Sequence, residues 1–195
     1  MSDPAHWRAI AVAGQVGDVA TARAAVGSAD PVARELALGA LDRIGALADP
    51  EVATALLDQD ARVRRRAATL AARRPAVALL DALDDADVTV VETAAWACGE
   101  RPDAPDAVFD RLIALATTAE DALVREAAVA ALGALGDERG LPAILTACAD
   151  KPAVRRRAVL ALAPFEGPAV DAALQAALDD RDWQVRQAAE DLLRA

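Results

Sequence analysis

Tyrosine and asparagine are absent from the 195 residues, histidine and methionine occur once each, and Lys151 is the sole lysine beside twenty arginines. Each scarcity removes a class of chemistry. With His6 alone, no histidine metal cluster, no Ser-His-Asp or Cys-His arrangement and no paired His-Glu motif can be assembled. Cys98 and Cys148 lie in the contexts Ala-Cys-Gly and Ala-Cys-Ala, too few for a disulfide framework, and read as small core residues. No glycine-rich phosphate loop of either common spacing occurs, and no cofactor is implied. No apolar run approaches the roughly 18 residues of a membrane span and no signal peptide opens the chain, so the expectation is a cytoplasmic protein with no membrane partner.

Aromatic residues reach only 3% although hydrophobic residues make up 55%. Alanine and leucine fill that share, and they are the best helix formers without the β-branched or aromatic bias of strands. The composition therefore reads as all-α. Net charge is −10, whereas a protein that neutralises phosphates needs a basic face, so nucleic acid is disfavoured as a partner. The arginine excess has a plainer source: arginine, alanine, glycine and proline share GC-rich codons.

One pattern recurs along the chain. An acidic residue is followed after two spacers by Val-Arg, then by alanine four positions beyond the valine and an apolar residue eight beyond it. The clearest copies run from Asp60 to Ala71, Asp121 to Leu132 and Asp182 to Leu193. Weaker copies start at Asp30 and Asp87, around Val154-Arg155, and at Trp7-Arg8 with Ala11 four positions on. The anchors Trp7, Ala33, Val63, Val90, Val124, Val154 and Val185 are separated by 26, 30, 27, 34, 30 and 31 residues. A period near 30 that drifts by a few residues is what loop variation in a helical array produces.

Each unit has a physical logic. The aspartate suits a helix N-cap, where its carboxylate accepts an orphan backbone N–H. The anchor, +4 and +8 positions form one apolar stripe, and the small alanine within it lets a neighbouring helix approach. After a proline or glycine break a second apolar helix is expected, as in Val77 to Leu83 or Leu141 to Cys148. Such a pair cannot bury its faces alone, so stacking is obligatory.

The Asp-x-x-Val-Arg-x-x-Ala pattern at this period resembles the HEAT repeats, in particular the short bacterial form also found in phycobilin lyase subunits. The resemblance spans about Asp3 to Ala195. It implies a right-handed α-solenoid of about six and a half antiparallel helix pairs, in one domain over 1–195, with units starting near 3, 30, 60, 87, 121, 150 and 181. It implies a structural role for Asp60, Asp121 and Asp182, paired with Arg64, Arg125, Arg186 or their neighbours along the stack. The paired His-Glu motifs of the HEAT-repeat deoxyhypusine hydroxylases are missing here. Second helices of such units generally line the concave face, which would place Asp58, Asp81, Arg111, Thr146 and Gln175 near it.

Partner-binding candidates follow from residue type and position. Trp96 falls off the stripe and Trp183 falls in a first helical turn, and tryptophan and arginine are enriched in interface hot spots. Arg65 and Arg66, with Arg62, Arg73 and Arg74 nearby, match Arg156 and Arg157 in a later unit, and Arg111 joins them. The 34-residue step holds the linker Arg101-Pro-Asp-Ala-Pro-Asp, a candidate binding loop. Trp7 sits at an anchor and is expected to cap the first repeat. The last pattern copy ends on Leu192-Leu193-Arg194-Ala195 without a second helix, which leaves room for pairing with a second copy.

The expected function is a non-catalytic scaffold or adaptor for another protein or peptide. Two alternatives stay open: a ligand chaperone like the bilin lyases, and a DNA glycosylase of the HEAT-like class, which needs a basic concave face.

Overall fold

The computed structural model describes residues 3–194, which form helices and turns without strands. They fall into two compact units, Met1–Val90 and Val91–Ala195.

The first unit begins with α1 (Pro4–Val16), α2 (Val19–Ala25), α3 (Pro31–Ile44), α4 (Asp49–Ala55) and α5 (Ala61–Ala71), followed by a 3₁₀ turn at Asp81–Asp84. Helix α1 packs on α3 and α3 on α5, while α2 and α4 lie against their partners. The expected stripe is what is buried: Val63, Ala67 and Ala71 in α5, and Ala33, Ala37 and Leu41 in α3. Gly14 lets α1 and α3 meet, since a Cβ there would stand 2.8 Å from the Ala40 Cα.

Two expectations are corrected in this unit. Trp7 is only half-buried, and the buried residues of α1 are Ile10, Ala13 and Gly14. The reason is polar. Its indole N–H donates to Asp30 Oδ2 at 2.7 Å, which seats the ring beside the next helix's cap rather than in the stripe. The second correction is that Val77 to Leu83 is no α-helix. Turns follow Pro75 and only the four-residue 3₁₀ turn forms, with Val77, Leu79, Ala82 and Leu83 still buried.

Helix α6 (Val88–Gly99) carries the boundary between the units. The second unit continues with α7 (Asp106–Thr118), α8 (Ala122–Leu135), α9 (Leu141–Ala147), α10 (Pro152–Ala161), α11 (Pro168–Ala177) and α12 (Trp183–Arg194). Here α8 packs on α10 and α10 on α12, while α7 touches α9 and α9 touches α11, giving two layers. Alanine at the crossing is not small enough by itself. Gly133 takes the closest approach, where a Cβ would meet the Ala161 Cβ at 2.5 Å.

The cap aspartates act as expected. Asp30, Asp60 and Asp121 each accept a backbone N–H from the residue two positions on, as do Asp87 and Asp182. No helix among the described residues is long and apolar enough to cross a membrane.

Candidate interaction surface

The repeated arginine does not pair with the cap aspartate of its own helix. Arg64 instead reaches the turn after the next segment, with Nε donating to Asp85 Oδ2 at 2.6 Å and Nη2 to Oδ1 at 2.7 Å. Arg125 makes the same fork with Asp150, at 2.6 and 2.7 Å. Arg34 does so with Asp58 and Arg155 with Asp180. The cap carboxylates of Asp60 and Asp121 instead accept a backbone N–H of their own helix N-termini.

The fork is only half of the arrangement. In each case Nη1 donates back to a carbonyl of the turn before its own helix: Ser28 for Arg34, Asp58 for Arg64, Ala119 for Arg125 and Asp150 for Arg155. Asp58 thus binds Arg34 through its carboxylate and Arg64 through its carbonyl. Arginine and turn alternate along each unit. Planar bidentate pairs suit guanidinium and fix geometry as well as energy. Hydrogen bonding by the arginine holds the carboxyls of Asp58, Asp85, Asp150 and Asp180 below the usual aspartate range. Arg155 is the most enclosed, at 7% exposure. Arg186, the last of the series, donates to the Asp180 carbonyl.

These aspartates were legible in the sequence as a second recurrence, two positions before the cap: Asp58-Gln-Asp60, Asp85-Ala-Asp87 and Asp180-Arg-Asp182. At the sixth-repeat boundary the spacing slips by one, so Asp150 stands next to Lys151 and accepts its N–H.

Within the first unit, the end of α4 and the segment before α6 enclose an open groove of about 510 Å³. Ala53 and Leu57 line one side, and Ala78, Asp81, Ala82 and Ala86 the other. Asp58, Arg64 and Asp85 complete the lining. Leu57 is 77% exposed, the most exposed of the large apolar side chains. Its counterparts one residue before each ladder aspartate are Asp84, Ala149 and Asp179, so a large apolar residue here was a visible departure. Asp81 is exposed and has no ion-pair partner among the described residues.

The other candidates are dispersed. Trp183 heads α12 at 65% exposure and Trp96 lies on α6 at 43%. Arg65 is exposed on α5, and Arg66 lies over Gly39 of α3. Arg156 and Arg157 both face Glu126, at 3.9 and 3.5 Å, and Arg111 is half-buried on α7. Of the residues assigned to the concave face, Asp58 and Asp81 share the groove, while Thr146 bonds the Pro142 carbonyl and Gln175 is exposed.

Reactive chemistry is scarce. Burial pushes the thiols of Cys98 and Cys148 up to about 11, which leaves both protonated near neutrality. No set of three or more histidine, cysteine, aspartate or glutamate side chains among the described residues is placed to hold a metal.

The HEAT-repeat family model matches residues 76–153 and again 109–194, together more than half of the chain. The chain belongs to the HEAT-repeat family. The fold agrees with solved structures of repeat proteins. The chain resembles YibA of Escherichia coli at 17% identity with a TM-score of 0.71, covering 95% of this chain and 74% of that one. A designed armadillo repeat protein in complex with the peptide (KR)4 matches at 17% identity and a TM-score of 0.58, covering 98% of both chains. Human deoxyhypusine hydroxylase matches at 23% identity with a TM-score of 0.50, over 97% of this chain and 78% of that one. At these identities the likeness speaks for the α-solenoid fold alone. No curated protein matches the sequence of this chain.

Proposed function

We propose that this chain is a non-catalytic scaffold that holds a segment of another protein. The observation that carries this reading is the division of labour among its side chains. The ladder arginines and their aspartates are committed to one another, while large apolar groups that the core does not use stay exposed, Leu57, Val16 and Trp183 foremost. Exposed apolar residues beside a preformed groove are the usual basis of recognition. The designed armadillo protein that matches along 98% of the chain carries a Lys-Arg peptide, which supports a peptide-holding role for a stack of this kind.

A nucleic-acid reader is not supported. It needs arginines free to meet phosphate, whereas Arg34, Arg64, Arg74, Arg125, Arg139 and Arg155 all face carboxylates.

The test is affinity purification on the immobilised full chain at physiological salt, read by mass spectrometry. One specific protein should be retained, and its recovery should fall on Trp183→Ala or on charge reversal at Arg65 and Arg66. If nothing is retained even under mild conditions, the scaffold reading loses its support.

A further inference from the structure

The groove between α4 and the 3₁₀ turn lies where the connection after α5 is short. Where other pairs place a second helix, this segment supplies four residues of 3₁₀ turn, so α4 faces alanines rather than a helical flank. Its volume of about 510 Å³ falls within the range of roughly 300–1,000 Å³ typical of ligand pockets.

Its chemistry is selective. Of its three carboxylates, Asp58 is paired with Arg34 and Asp85 with Arg64, which leaves Asp81 as the one without an ion pair among the described residues. Arg64 already makes four hydrogen bonds, two to Asp85 and two to the carbonyls of Asp58 and Gln59. It is poorly placed to receive an incoming anion, which would also meet Asp81. A cation finds the reverse: Asp81 lines the same groove, exposed and in no ion pair among the described residues. Leu57 and the surrounding alanines give an apolar floor beside that charge.

We infer that this groove takes a lysine or arginine side chain flanked by an aliphatic residue, presented by an extended segment of the partner protein. The cation meets Asp81, and the aliphatic neighbour covers Leu57. This assignment rests on the scaffold reading above and specifies the partner's chemistry.

The experiment uses fluorescence anisotropy with the full chain and a dye-labelled eight-residue peptide alternating lysine and leucine, with a glutamate-leucine peptide as counter-probe. The basic peptide should bind saturably and the acidic one should not. Asp81→Arg should weaken binding by about ten-fold or more, as charge reversal at a contact does. Leu57→Ser should weaken it by about five-fold for the leucine peptide and leave a lysine-glycine peptide unaffected. Asp179→Arg, an equal charge change on an exposed turn of the second unit, should alter it by less than about two-fold. Both groove substitutions are at exposed positions, and unchanged thermal melts will show that each variant folds.

The assignment is overturned if Asp179→Arg weakens binding as much as Asp81→Arg, because bulk charge then accounts for it. It is equally overturned if Leu57→Ser has no effect or if the basic peptide does not saturate. Should affinity purification still retain one specific protein in those cases, the scaffold reading stands and only the groove assignment falls.

Discussion

Arg64 and its aspartate at 85 stand 21 positions apart in the first unit, and Arg125 and Asp150 stand 25 apart in the second. Both arginines nevertheless close the same two-pronged bond, with prong lengths of 2.6 and 2.7 Å in each. The difference is absorbed in what lies between. The longer connection folds α9, whose Ala143, Ile144 and Ala147 fill the space against α7 and α8. The shorter one has no room for a helix and makes the 3₁₀ turn, leaving the groove open. The arginine ladder thus fixes where each turn must return, and the segment between is free to vary. A scaffold of this kind can acquire a recognition site by shortening one connection without disturbing the stack.

The largest perturbation is to remove the ladder's charge everywhere at once. Each of Asp58, Asp85, Asp150 and Asp180 titrates lower in the folded chain than the value near 4 of an unfolded aspartate. Their stabilisation is therefore fully present above about pH 4 and is lost as pH falls through the folded values below it. The urea midpoint should be flat from pH 7 to about 5 and fall steeply beneath 4. A midpoint that stays level to pH 3 would show that the ladder contributes little.

Single rungs separate the two regions. Removing a guanidinium leaves a half-buried carboxylate unpaired, a loss between the values for exposed and buried pairs, about 2–3 kcal/mol. Arg64→Leu should sit at the upper end and Arg125→Leu at the lower, since α9 still holds its turn by packing while the 3₁₀ turn has less to fall back on. Equal losses in denaturant titrations would mean that packing carries both turns.

Next comes the helix crossing. Gly133→Ala drives a Cβ to 2.5 Å from that of Ala161 and 2.7 Å from its Cα, and backbone cannot step aside as a flexible side chain can. An overpacking cost of about 1–3 kcal/mol is expected. Gly27→Ala in the first unit, where nothing lies within 4 Å, should be neutral in the same thermal melts.

The stripe made the stack legible in sequence, because burial at helical spacing leaves the same trace in every repeat: Val63, Ala67 and Ala71 match Val124, Ala128 and Leu132. The pairing was harder to read because two aspartates per turn compete for one arginine, and only geometry shows that the helix N-terminus claims the second. Trp7 fitted the anchor spacing, yet a ring with a polar edge follows its hydrogen bond to Asp30 rather than the pattern. Val77 to Leu83 had the apolar content of a helix, but the connection from Arg64 to Asp85 is four positions shorter than that from Arg125 to Asp150. The groove is a consequence of that shortage, and a missing volume has no residue to mark it.

The smallest expected effect bears most directly on what the open region is for. Leu57 and Asp81 touch solvent, and neither belongs to the ladder or the buried stripe. Leu57→Ser and Asp81→Asn should therefore change unfolding free energy by no more than about 0.5 kcal/mol, as surface substitutions do. Folding alone gives no reason for a leucine at that position, where the equivalent turns carry Asp84, Ala149 and Asp179. If Leu57→Ser instead costs more than about 1 kcal/mol in urea titrations, the leucine is a packing element of a weakly held turn. If stability is unmoved while peptide binding falls, the short connection is a recognition site laid over an arginine ladder that does the folding.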